Sequence, residues 1–229
     1  RTLDSGGDKL VSELSLSNEA NPFMGWRSIR VCLDREELFK DQLKALLQAN
    51  EKGNLRILLP MISGLPELRK SKEHIKTCLA ELAEEGIECP SVEIGIMIEV
   101  PAAVMQVEQL AKEADFFSIG TNDLIQFTLA VDRSNEMIAD MFQPHHPAIL
   151  NMIYNTVIAA HKEGIPVAVC GEMSADPFSI LLLIGLGVDE LSMTPWSIME
   201  AKKIIRSINY EDVNEIALRT LRFDDAASV

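Results

Sequence analysis

The chain has 229 residues, of which 47% are hydrophobic and 24% are charged, and its formal net charge is −14. This length and composition are typical of a globular protein with one large core or two small ones. A charge this negative argues against nucleic acid and anionic membranes as partners, because both carry dense negative charge themselves.

Targeting signals and cysteine spacing bear on the compartment. No apolar run reaches the length of a membrane span, and the first residues, RTLDSGGDK, have no apolar segment of the signal-peptide kind. Cys32, Cys78, Cys89 and Cys170 form no CxxC pair and have no metal-like spacing. We therefore expect a cytoplasmic protein with four reduced thiols.

In chain order, short apolar runs alternate with helical patterns. The first 50 residues predict a strand tail at 1–4, a Gly-Gly turn and polar loop to about Ala20, a short strand near Trp26 to Val31 and a helix at 35–49. A strand at 55–61 and a helix at 66–85 follow. The next strand lies in VEIGIMIEVPAA, 92–103, and carries Glu99 at its end. The second half predicts strands at 116–119 and 165–173, helices at 148–163 and 177–186, the segment DELSMTP at 189–195, and a final helix pair, so that about six strands alternate with helices. Apolar strands alternating with helices, with no linker between them, favour a single domain with the (β/α)8 TIM-type barrel fold.

The clearest local pattern is FFSIGTNDLIQFTLAVDR, residues 116 to 133. Its apolar run ends at Gly120, and Thr121, Asn122 and Asp123 precede apolar residues at helical spacing. This predicts a strand, a polar turn and a helix. Two interpretations of Asn122 and Asp123 are open at this point: they cap the helix, or they carry chemistry.

Polar residues at the carboxyl ends of barrel strands converge on one face, where barrel enzymes have their active sites. The predicted strand ends supply Arg1, Arg27, Glu99, Asn122, Asp123, Cys170 and Glu172. Two carboxylates without clustered His or Cys favour a hard cation such as Mg²⁺ or Mn²⁺. The arginines favour phosphate or carboxylate recognition. Together these residues predict metal-assisted chemistry on a small phosphorylated acid.

Each candidate also has a structural explanation. Glu99 could pair with a helix N-terminus, Arg133 could be a solvated helix residue, and Cys170 could be a small buried hydrophobe. His145 and His146 are adjacent in a predicted loop, so their side chains should point in different directions. We therefore interpret the two histidines as loop residues and not as metal ligands.

Five segments carry a family resemblance over essentially the whole chain. In order, they are RTLDSGGDK, NPFMGWRSIR, IMIEVPAA, FFSIGTNDLIQFTLAVDR and VCGEM. They resemble the phosphoenolpyruvate-binding C-terminal barrel of enzyme I, the phosphoenolpyruvate-protein phosphotransferase of the bacterial sugar phosphotransferase system. Pyruvate phosphate dikinase and phosphoenolpyruvate synthase have related GTND and CGE elements, but TLAVDR and GWRSIR are more similar to enzyme I.

The resemblance implies a role for each matching position. It implies that Glu99 and Asp123 bind Mg²⁺ and that Arg1, Asn122 and Arg133 bind the phosphate. It also implies that Arg27 lies beside the reacting end of the substrate and that Cys170 protonates the methylene carbon of enolpyruvate. It further implies a homodimer. The phosphoryl acceptor would be a histidine on a separate N-terminal domain, which passes the group to the histidine-containing phosphocarrier protein.

Two features of the family do not occur in this sequence. The phosphoryl-accepting histidine belongs to the N-terminal domain, and the family barrel begins with a strand that carries a further arginine. We therefore expect either a fragment or an incompletely observed chain, in which the barrel lacks its first strand. Two alternatives to the enzyme I assignment are the matching domain of a dikinase or synthase, and a non-catalytic module that senses phosphoenolpyruvate and dimerises.

Overall fold

The computed structural model describes residues 1–4 and 19–229. The Gly-Gly turn and most of the polar loop predicted before Ala20 therefore lie outside the described residues. The chain forms two compact units, Arg1–Met97 and Ile98–Val229. We describe each unit by itself, and the single-domain organisation stays a prediction.

The first unit combines parallel strands with two long helices. Its elements are a 3-10 turn at Pro22–Met24, α1 (Ile29–Asp34), α2 (Glu36–Ala49), β1 (Arg56–Leu59), α3 (Leu65–Glu84) and β2 (Glu93–Ile98), whose last residue belongs to the second unit. β1 and β2 pair in parallel, with Leu59 opposite Ile96. α2 packs on α3 and buries Phe39, Leu43 and Leu47. These residues are four apart and lie on one helix face, which explains the predicted amphipathic pattern.

The strand predicted near Trp26 to Val31 is wrong. Ile29–Asp34 form α1 instead, and Ile29, Val31 and Cys32 are buried in it. An apolar run this short fits a helical turn as well as a strand, because periodicity needs a longer window to separate the two. The strand tail predicted at 1–4 is not a regular strand either, although the Thr2 N–H donates to the Leu58 carbonyl in β1 at 3.0 Å.

The second unit has the strand-helix alternation that the sequence predicts. Its elements are α4 (Pro101–Met105), α5 (Val107–Ala111), β3 (Phe116–Gly120), α6 (Thr121–Leu129), α7 (Pro147–Lys162), β4 (Val167–Cys170), α8 (Pro177–Gly185), β5 (Glu190–Leu191), α9 (Pro195–Ile205) and α10 (Tyr210–Thr220). Short 3-10 segments lie at Glu136–Met141, Glu172–Ser174 and Ala226–Ser228. β3, β4 and β5 pair in parallel in this order. Every residue of β3 is buried, as expected for a parallel strand covered on both faces.

The predicted fold class, α/β with parallel strands, is confirmed.

The register of β3 and β4 has a local consequence for the candidate site. Gly120 lies opposite Cys170, so the two strands end at the same level. The residues that follow them, the first turn of α6 and the segment 171–174, therefore leave the sheet side by side. No helix in the part of the chain that the structure describes is both long and apolar enough to cross a bilayer.

Candidate functional site

The first turn of α6, which follows β3 directly, places Asn122 for a contact with the residues that follow β4. α6 begins at Thr121 with Gly120 as its N-cap, so Asn122 and Asp123 belong to the first helical turn and the capping interpretation is wrong. The Oδ1 atom of Asn122 instead accepts the Glu172 N–H at 3.2 Å. This bond ties the first turn of α6 to the residues that follow β4.

Gly171 allows the two strand exits to approach closely. Its φ is +99°, which favours glycine, and a Cβ atom there would lie 2.5 Å from Thr121 Oγ1 and 2.9 Å from Asn122 Oδ1. The Thr121 hydroxyl donates to the Cys170 carbonyl at 2.9 Å. The glycine of the CGE segment is thus required both by its backbone conformation and by the lack of space for a side chain.

The Cys170 thiol is half-buried at the end of β4 and lies within reach of two groups on β3. The Ser118 hydroxyl donates to Cys170 Sγ at 3.6 Å, and the thiol donates to the Ile119 carbonyl at 3.5 Å. This environment differs from that of Cys32, where burial raises the thiol pKa to about 12. The alternative of a fully buried packing cysteine therefore fits Cys32 but not Cys170.

Two buried carboxylates belong to the second unit. Glu99 follows β2 and is 3% exposed, and Asp123 in α6 is 8% exposed. Buried carboxylates need a cation or strong donors, because charge is costly to remove from water. Across residues 1–4 and 19–229, no three His, Cys, Asp or Glu side chains group as a metal site. Carboxylates still fit Mg²⁺, which is often held by one or two of them together with substrate oxygens and water.

Arg133 lies outside the helix that the structural alternative assigned to it. α6 ends at Leu129, and Arg133 lies in the turn that follows with a half-exposed side chain. Its backbone N–H donates to the Oε1 atom of Gln126 at 3.1 Å, and Gln126 is buried. The turn is therefore anchored to α6.

In the first unit, two predicted arginines meet at a carboxylate that the sequence analysis did not single out. Asp4 accepts from the Ser28 hydroxyl at 2.6 Å and from Arg27 Nη2 at 3.3 Å, and it pairs with Arg1 Nη2 at 3.2 Å. Arg27 is 1% exposed and lies just before α1, not at a strand end as predicted. A buried arginine needs a carboxylate partner. Asp4 in the RTLD segment was the feature of the sequence from which this partner could have been predicted.

The loop histidines have structural partners, as their interpretation as loop residues requires. His146 is the N-cap of α7, and its Nδ1 atom accepts the Ala148 N–H. His145 Nε2 lies 2.8 Å from the Ser179 hydroxyl, and burial lowers the pKa of this histidine although Asp176 acts in the opposite direction. A neutral His145 is thus suited to a hydrogen bond with Ser179.

The fold and these residues define a class: an α/β protein with parallel strands, whose second unit holds two buried carboxylates. Comparison with known proteins identifies the family. Residues 1–210 match the family model described as PEP-utilising enzyme, PEP-binding domain, and the chain belongs to this family.

Curated relatives support the same assignment. Phosphoenolpyruvate-protein phosphotransferases of Haemophilus influenzae and Geobacillus stearothermophilus are each 46% identical over 230 aligned residues, which cover 100% of this chain and 40% of the relative. That of Staphylococcus carnosus is 46% identical over 97% of this chain and 39% of its own length. The chain thus spans about two-fifths of the length of these relatives.

Solved structures share the fold at low sequence identity. A malate synthase from Haloferax volcanii has a TM-score of 0.57 at 16% identity, over 76% of this chain and 48% of that one. A citrate lyase from Burkholderia xenovorans has a TM-score of 0.54 at 19% identity, over 82% of this chain and 64% of that one. At these identities the likeness concerns the fold alone, and it agrees with the α/β fold described above.

Proposed function

We propose that this chain is the phosphoenolpyruvate-binding part of a phosphoenolpyruvate-protein phosphotransferase. In this proposal it binds phosphoenolpyruvate with Mg²⁺ and supports transfer of the phosphoryl group to a histidine on a separate N-terminal domain, with release of pyruvate. The observation that carries the proposal is the 46% identity along the whole chain to curated relatives of that name. The phosphohistidine domain and, through it, the phosphocarrier protein are the proposed protein partners, and a cytoplasmic location stays a prediction.

The proposed ligand-binding roles follow the resemblance and suit the chemistry of each side chain. Glu99 and Asp123 would hold Mg²⁺, with Mn²⁺ as an alternative, and Asn122, Arg1 and Arg133 would bind the phosphate, while Arg27 would flank the reacting end. The bound ion would neutralise charge on the substrate oxygens. Guanidinium groups match phosphate and carboxylate oxygens in a planar, two-pronged geometry. These cations would also offset the formal net charge of −14, which repels an anionic substrate.

The proposed chemical role of Cys170 is proton donation to carbon. Loss of the phosphoryl group breaks a P–O bond and leaves the enolate of pyruvate. The thiol then gives its proton to the methylene carbon, the enolate electrons form the new C–H bond, and the S–H electron pair stays on sulfur. The half-buried position of Cys170 and its hydrogen bonds at 3.5 and 3.6 Å support a thiol with a defined orientation.

The proposal is tested by calorimetric titration of phosphoenolpyruvate into this chain in buffer with Mg²⁺. We expect saturable binding, and much weaker binding of pyruvate, because pyruvate lacks the phosphate that the arginines and Asn122 would hold. The control is the same titration with a nucleotide present. Binding that requires a nucleotide would favour a dikinase or synthase, and no binding at all would contradict the proposal.

We also propose that the chain forms a homodimer, as the resemblance implies. Several large apolar side chains are exposed, among them Met105 at 81%, Met137 at 88% and Trp196 at 93%. Burial of exposed apolar side chains in an interface would remove them from water and so favour association. Light scattering over a concentration series should give a mass twice that of a single chain. A monomer at every concentration would contradict the dimer, and a mass that keeps growing would indicate aggregation.

A further inference from the structure

Ser118 is a polar residue at the centre of the most buried strand of the second unit. All of β3 is buried, and Ser118 itself is 6% exposed, while its neighbours Phe117 and Ile119 are not exposed at all. A buried hydroxyl is unfavourable unless it forms a hydrogen bond, so its partner indicates its role. In the described part of the chain, its recorded partner is Cys170 Sγ.

The register of the sheet explains why the two side chains meet. Ser118 lies opposite Ala168, and Cys170 is two residues further along the same strand, opposite Gly120. Residues two apart in a strand point to the same face. Gly120 carries no side chain, so the space beside Cys170 on this face is open to the Ser118 hydroxyl, which approaches to 3.6 Å.

The sulfur therefore forms two hydrogen bonds with β3. It accepts from the Ser118 hydroxyl, while its own proton points to the Ile119 carbonyl at 3.5 Å. The backbone of Cys170 is fixed as well, because Thr121 donates to its carbonyl at 2.9 Å. A hydrogen bond to sulfur is weak when the sulfur is a neutral thiol and becomes stronger when the sulfur carries negative charge.

We propose that Ser118 is a positioning residue that orients the Cys170 thiol and stabilises the thiolate that remains after proton transfer. This inference rests on the proposed function, in which the S–H bond breaks, the proton goes to the methylene carbon of the enolate and the electron pair stays on sulfur. Ser118 contributes no proton to the product. Its hydroxyl donates to the charged sulfur and lowers the free energy of the state that proton transfer produces.

The test removes the hydroxyl from this chain and measures the reactivity of the thiol. Alkylation of Cys170 by iodoacetamide is followed against pH by mass spectrometry of the Cys170 peptide, because only the thiolate reacts. In Ser118→Ala we expect the pH midpoint of alkylation to rise, with the rate near neutral pH falling about tenfold, the effect of losing a hydrogen bond to a charged acceptor. Ser118→Thr keeps a hydroxyl and should restore the midpoint.

Two controls belong to the same experiment. Cys89 is the internal reference, since its alkylation should not change, while burial raises the pKa of Cys32 and Cys78 and keeps them slow to react. Ser71→Ala removes another fully buried serine hydroxyl, one that donates to the Glu67 carbonyl in α3, and should leave Cys170 unaffected. An unchanged Cys170 midpoint in folded Ser118→Ala would overturn the inference.

Kinetics of the full-length parent protein separate this inference from the proposed function. Ser118→Ala should lower kcat about tenfold with little change in KM, since the hydroxyl acts on the proton-transfer step. If Cys170→Ala leaves turnover intact, the proton-donor role fails, whatever Ser118→Ala does. If Cys170→Ala abolishes turnover while Ser118→Ala changes neither kcat nor the alkylation midpoint, only the role of Ser118 fails. If Ser118→Ala does not fold, Ser118→Gly removes the same hydroxyl. A folded Ser118→Gly with unchanged kcat and an unchanged alkylation midpoint would show that Ser118 is only a packing residue.

Discussion

Replacement of Cys170 by alanine in the full-length parent protein should slow turnover by about 10²-fold or more, the usual effect of losing a positioned acid. Affinity for phosphoenolpyruvate should change little, because the proposed binding groups are carboxylates, arginines and an amide. Steady-state kinetics together with a binding titration would give both quantities. A large loss of affinity with unchanged kcat would place Cys170 in binding instead of proton transfer.

Isotope exchange is the sharper measurement for the same substitution. Both proteins are used in the phosphorylated state. The wild-type parent protein should exchange the methyl protons of pyruvate with solvent, and the Cys170→Ala variant should not. The matched control is Cys89→Ala, which removes another partly exposed thiol of this chain and should leave exchange unchanged. Undiminished exchange in Cys170→Ala would mean that another group or water delivers the proton.

Elements with a clear hydrophobic pattern were predictable from the sequence. The helix predicted at 66–85 is observed at Leu65–Glu84, and the strand predicted at 116–119 is observed at Phe116–Gly120. In both, local pattern and burial agree, and the sequence around them contains clear start signals. The segment near Trp26 failed for the opposite reason, since its apolar run is too short for periodicity to distinguish a strand from the first turn of α1.

The contacts that fix the candidate groups could not be predicted from local pattern. Asp4 and Arg27 are 23 residues apart, and Ser118 and Cys170 are 52 residues apart. Each contact depends on how distant segments pair, and a one-residue change in the register of β3 against β4 would turn Ser118 away from the sulfur. The same limit explains why Asn122 looked like a helix cap: its actual partner, the Glu172 N–H, follows a different strand.

Substitution of Glu99 or Asp123 should nearly abolish binding of phosphoenolpyruvate through loss of the metal ion. Glu99→Gln and Asp123→Asn keep the shape of each buried side chain and remove its charge, so the hard cation loses a preferred ligand. The unmodified chain should bind phosphoenolpyruvate in Mg²⁺ and lose most of its affinity in EDTA. Both variants should behave in Mg²⁺ as the unmodified chain does in EDTA. Calorimetric titration measures all of these affinities.

The sign of the effect separates a metal ligand from a general electrostatic influence. Removing one negative charge from a chain of net charge −14 should, by long-range electrostatics alone, slightly strengthen binding of an anion. Glu211→Gln and Asp212→Asn, on exposed positions of α10, make the same change in charge and should show only this small gain. A loss of affinity confined to the Glu99 and Asp123 variants would therefore require a bound cation. Equal affinity of the unmodified chain with Mg²⁺ and with EDTA would contradict the metal assignment, because binding would then not depend on the ion that the two carboxylates are proposed to hold.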